Sequence, residues 1–80
     1  MKIPAIKALV ETQSIDSLIE AEAALLEEKE IGIEVEGEDD GEKLTHVFAA
    51  IWILNYMKEQ QADFKTALRE YTKKVRVSIS

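Results

Sequence analysis

Two residues of this chain stand where they could move protons: Glu22 and His46. From Ser14 to about Glu30 the apolar residues recur at helical period. At about 100° per residue, Ile15, Leu18, Ile19, Leu25 and Leu26 make one apolar face, and Glu22 falls in its middle. A charged carboxylate there is costly unless it is paired or protonated. One reading makes Glu22 a general acid or base tuned by its apolar surroundings. The other pairs it with a lysine or arginine of the C-terminal helix, or with polar groups of a symmetry mate. The second is the expected one, because ion-pair networks place acids in such settings as readily as catalysis does.

His46 is the only histidine. Glu42 precedes it by one helical turn and Asp39 lies about one turn earlier, so all three share a face. One imidazole with two carboxylates is a poor set for zinc or a first-row transition metal, which take more nitrogen or sulfur. No metal is therefore expected, Asp39, Glu42 and His46 being only the nearest approach to a site. The plainer reading is a Glu42–His46 pair at a helix start, with the imidazole beside Ala50 and Ile53. A calcium loop taken from Glu36, Glu38 and Asp40 puts Gly41 at the required sixth position. Its twelfth position, which must supply a bidentate glutamate, is Val47, so the loop fails. There is no nucleophile elbow and no glycine-rich phosphate loop. With no cysteine, thiol redox catalysis and cysteine-ligated metals are excluded. No cofactor is expected.

These residues must be carried by short elements, for 80 residues suffice for one domain spanning 1–80 with a marginal core. The expected class is mostly α with minor β: about four helices around a central apolar one, plus one or two short strands. Pro4 suits the first turn of a helix bearing Ile3, Ile6, Leu9 and Val10 to about Glu11, with a strand as competitor. Ser14 caps the second helix and Asp16 sits in its first turn. Ile31, Ile33 and Val35 then alternate with Gly32, Glu34 and Glu36, which is strand period. That strand needs a partner, either its copy in a second subunit or the tail, where Val75, Val77 and Ile79 alternate with Arg76, Ser78 and Ser80. The third helix runs from near Asp40 to about Gln60. Its stretch from Val47 to Leu54 is apolar all round and must be covered all round. Asp63 caps a fourth helix that turns Phe64, Ala67, Leu68, Tyr71 and Val75 to one side.

Charge is unevenly spread within the net −6. Glu11 to Glu42 holds thirteen acids and one base, Lys29; from Lys58 onward six bases stand against Glu59, Asp63 and Glu70. Opposite-sign segments are expected to meet within the fold or across a subunit interface. The acidic balance repels phosphate backbones, so nucleic acid is not an expected partner, although the basic fourth helix is the part that would touch it. The longest apolar run is far short of the roughly 20 residues that span a bilayer, so no membrane is expected. Absence of a leader-like start and of cysteine points to the cytoplasm.

Leaving the Trp52/Tyr56/Ala49 side of the central helix bare would expose a few hundred Å² of apolar surface, about the largest patch a monomer carries. A homodimer is the expected solution. Its interface is expected at Trp52 and Tyr56 of the helix and at Ile33 and Val35 of the strand.

The segments IPAIKALVE (3–11), EVEGEDDGEKLTHVFAAIWIL (34–54) and DFKTALREYTKKVR (63–76) together resemble a family of short proteins of unknown function from Bacteroidetes. The resemblance covers essentially the whole chain and transfers no catalytic or binding residue. It implies an accessory role beside peroxiredoxin-like or thioredoxin-like neighbours. The expected function is thus that of a small oligomeric interaction or accessory protein, holding a protein partner and lacking catalysis. Proton transfer through Glu22 and His46 is the first alternative, and nucleic-acid binding by the basic helix the second.

Overall fold

The computed structural model describes residues 2–79, with side chains through residue 76. Four helices follow one another: α1 (Ile3–Thr12), α2 (Ile15–Leu26), α3 (Asp40–Gln60) and α4 (Phe64–Ile79). The strand competitor for residues 3–11 is overruled. Pro4 lies in the first turn of α1, where a missing N–H goes unused.

Ser14 and Asp63 cap their helices as the sequence suggests, and Asp39 adds a cap for α3. Ser14 Oγ accepts from the Ser17 N–H and Ser17 Oγ accepts from the Ser14 N–H, both at 3.1 Å, a reciprocal box that starts α2. Asp39 Oδ1 accepts from the Glu42 N–H at 2.8 Å to start α3, and Asp63 Oδ1 accepts from the Thr66 N–H at 2.8 Å to start α4. Helix α2 stops about a turn before Glu30. Glu28 adopts a left-handed φ of 58°, its N–H reaches Leu25 O, and the Lys29 N–H reaches Ala24 O at 2.8 Å. That is a Schellman stop, usually marked by glycine. Here a glutamate takes the left-handed position, at a cost of about 1 kcal/mol.

Helices α1, α2 and α4 each pack on α3. Ile6 and Leu9 of α1, Leu18, Ala21 and Leu25 of α2, and Val47, Ala49, Ala50 and Ile53 of α3 form the buried core. Among the described side chains of α4, only Ala67 is fully buried. Its other attachments are the partly buried Phe64, Leu68 and Tyr71. The Tyr71 ring lies 5.5 Å from Trp52, which stacks on Tyr56 at 5.2 Å.

The expected β structure is absent among the described residues. Residues 29–37 form a connection without helix or strand, bent at Gly32 and Ile33, whose alternation is real in burial but not in pairing. Val35 is buried and Ile31 and Ile33 partly so, while Glu34 and Glu36 face water. The expected partner does not exist as a strand: the backbone through Ile79 continues α4, and Ser80 lies outside the described residues. Extending a running helix adds one hydrogen bond per residue fixed, whereas a tail strand would have to find an edge. Gly37 lets the connection pass close to α3. A Cβ at this position would lie 2.8 Å from Lys43 Cγ.

Candidate functional site

The side chain with the most evident chemical potential is held fast. His46, on the inner face of α3, is 0% exposed. Its Nε2 lies 2.9 Å from the Lys2 backbone nitrogen, and its Nδ1 lies 2.7 Å from the Glu36 carbonyl oxygen. A backbone N–H can only donate and a carbonyl can only accept. The ring tautomer follows: Nδ1 carries the proton and donates to Glu36, and Nε2 accepts from Lys2. One imidazole therefore ties the entrance of α1 and the end of the connection to the central helix. The expected pairing with Glu42 is not formed. Glu42 Oε1 is instead a buried oxygen without a hydrogen-bond partner.

The other candidates are placed as follows. Asp39 spends a carboxylate oxygen on capping α3, and with both imidazole nitrogens committed, Asp39, Glu42 and His46 are not gathered into a donor set. No group of three or more His, Asp or Glu side chains arranged to hold a metal ion occurs among the described residues. Glu22 stands on the shoulder of the buried stripe rather than at its centre. That stripe is Leu18, Ala21 and Leu25, and Ile19 and Leu26 of the expected apolar face point outward. Glu22 is partly exposed and makes no ion pair or hydrogen bond among the described residues, so the expected partner on α4 is not there. Since His46 has no exposure, Glu22 and His46 share no solvent-filled cleft.

Of the expected interface residues, Val35 is buried at 6% exposure and Ile33 is partly buried against the core. Trp52 and Tyr56 are partly buried and, with Asn55 and Glu59, line a shallow hollow of about 320 Å³. Tyr71 of α4 lies against Trp52, and Ala49 is fully buried. Burial pushes the Tyr71 hydroxyl above the ordinary tyrosine range. At Asp63 the Thr66 N–H, with a smaller contribution from the Thr66 side chain, holds the carboxyl below its usual value.

What the sequence did not reveal is which large apolar side chains stay outside. Leu26 is 60%, Ile19 50%, Ile3 48% and Phe48 44% exposed. On α2 these form a row, for Ala23 between them is exposed as well, and the acids Asp16, Glu20 and Glu27 run beside it. On α4, Lys65, Arg69, Lys73 and Arg76 are all exposed and, with Leu68 and Thr72, line a hollow of about 340 Å³.

The two charged rows do not meet within the chain. The ion pairs Glu27–Lys29 and Glu70–Lys73 are local, and Lys65, Arg69 and Arg76 form none among the described residues. The chain belongs to the family of unknown function DUF6952. The match to that family covers residues 1–80. No curated protein and no solved structure matches the chain. No helix among the described residues is long and apolar enough to cross a membrane. Membership in DUF6952 brings no catalytic signature to add to the residues described above.

Proposed function

We propose that this chain is a small cytoplasmic accessory protein of bacterial origin that acts through its surface, as a homodimer that also holds a protein partner. The observation that carries the reading is the apolar row left outside on α2, where Ile19 and Leu26 are at least half exposed with Ala23 between them. A folded chain this small has little stability to spare. Large apolar side chains aligned on one helix face, rather than scattered singly, are the mark of a surface meant to be covered. At about 25 cal/mol per Å², covering such a row contributes a few kcal/mol to association. Trp52 and Tyr56, with Asn55 and Glu59, form a separate aromatic hollow of about 320 Å³.

The placement of His46 favours the surface reading over proton transfer. An imidazole with both nitrogens bonded to the main chain and no exposure has neither a free lone pair nor a path to substrate. Sedimentation equilibrium across a concentration series tests the proposal. The expected result is a dimer mass that Leu26→Ser shifts toward the single chain while helicity is kept. A single-chain mass at every concentration would remove the self-association on which the reading stands.

A further inference from the structure

The two charged faces share a spacing. On α2, Asp16, Glu20 and Glu27 are separated by four and seven residues, with Ile19, Ala23 and Leu26 alongside. On α4, Lys65, Arg69 and Arg76 are separated by the same four and seven, with Leu68, Thr72 and Val75 alongside. Each residue of the first set corresponds to one of the second at a constant offset: acid with base, apolar with apolar, and a small residue with a small one. All six positions on α2 are exposed; on α4 the three bases are exposed, and Leu68, Thr72 and Val75 are partly so. From Asp16 to Glu27, the C-cap of α2, and from Lys65 to Arg76 there are eleven steps, which at helical rise span about 16 Å, so the two rows match in length.

We propose that the outer face of α2 in one copy docks antiparallel on the outer face of α4 in a second copy, the apolar rows meeting and the acids of α2 facing the bases of α4. This rests on the self-association proposed above and names its contact. The direction follows from geometry. On both helices the charged row lies the same way round from the apolar row, so two facing helices bring their charged rows together only when they run in opposite directions. Glu20 then lies opposite Arg76 and Glu27 opposite Arg69. Ala23 and Thr72, both small, let the axes approach at the centre. Each copy offers one face of each kind, so every copy can supply the α2 side of one contact and the α4 side of another.

The observations favour a second copy over a phosphate backbone. A nucleic acid would use the basic row alone and meet a chain of net charge −6. A second copy uses both rows and both apolar flanks, and it supplies opposite-sign partners to Glu20, Arg69 and Arg76, which form no ion pair among the described residues.

Reciprocal charge reversal tests the contact. The double variants Glu20→Lys/Glu27→Lys and Arg69→Glu/Arg76→Glu are compared with the native chain by sedimentation, alone and mixed in equal amounts. Circular dichroism checks that each remains helical. Each variant alone is expected to associate about tenfold more weakly, because attraction across the seam becomes repulsion. The mixture is expected to return to within about threefold of the native affinity, since each reversed face then meets its complement. Native association should also weaken as salt rises, because rim charges are screened.

A native chain that sediments singly would sink both the self-association reading and this contact. Variants that associate as well as the native chain, or a mixture that fails to recover, would overturn the contact and leave self-association standing. So would a duplex oligonucleotide bound by the native chain and the acidic-face variant but not by the basic-face variant, if the mixture also fails to recover. That result would assign the basic row to phosphate.

Discussion

The two flanks of the central helix are built by different rules. On one side, α1 and α2 press Ile6, Leu9, Leu18, Ala21 and Leu25 against Val47, Ala50 and Ile53, and His46 locks the entrance of α1 and the connection in place with two main-chain hydrogen bonds. On the other side, the described side chains of α4 contribute one fully buried alanine, with partly buried side chains that include Tyr71 against Trp52. The first flank is held by close packing and a satisfied buried polar group, the second by a thinner, more accessible contact. Local stability follows buried contact density. The difference therefore separates a rigid half, which holds the fold, from a lightly attached helix whose outer face is free for other work.

The largest break in this contrast is expected from the rigid side. Replacing Ile53, fully buried on α3, by alanine removes core volume and is expected to cost about 3 to 4 kcal/mol in urea unfolding. His46→Ala is expected to cost about 3 kcal/mol, because the Lys2 N–H and the Glu36 carbonyl lose their partner along with the packed ring. His46→Gln should recover only part of that, since an amide cannot reproduce both bonds from one ring position. If His46→Ala unfolds at the native denaturant midpoint, the clamp carries no weight. Tyr71→Ala, on the thin side, is expected to cost less, about 1 to 2 kcal/mol, with the loss concentrated in α4. Amide exchange should show the α4 amides opening well before those of α1 and α2. Equal protection of all four helices would erase the contrast.

The smallest effect is at the cap of α4. Asp63 has a folded pKa below its unfolded value, because its carboxylate accepts the Thr66 N–H. Its contribution is therefore fully present above the unfolded value of 3.8 and is lost as pH falls through the lower folded one. Asp63→Ser keeps an oxygen for the cap but removes the titration. Its thermal midpoint between about pH 5 and pH 2 should fall slightly less steeply than that of the native chain.

Much of the fold is legible in the sequence, and the gaps have physical causes. Ser14, Asp39 and Asp63 cap their helices through side-chain oxygens, a local interaction that residue types announce. The stop of α2 is not announced, because a glutamate occupies the left-handed position where glycine would be expected. Alternation of Ile31, Ile33 and Val35 correctly marks which side chains turn inward, but a strand also needs an edge to pair with, and periodicity says nothing about partners. The apolar arc of α2 is wider than the part that is buried. Its width was readable, but not which edge faces α3, so Glu22 was expected at the centre and lies on the shoulder. The partners of His46 are main-chain groups 44 and 10 residues away, and no residue type signals them.

The most direct test of the account is a map of the surface that self-association covers. Amide chemical shifts of the native chain, followed from dilute to concentrated solution, should move at Ile19, Ala23 and Leu26 on α2 and between Leu68 and Arg76 on α4, and stay still around His46. Shifts confined to other surfaces, or none at any concentration, would contradict the claim that the faces left outside by this fold are its working parts.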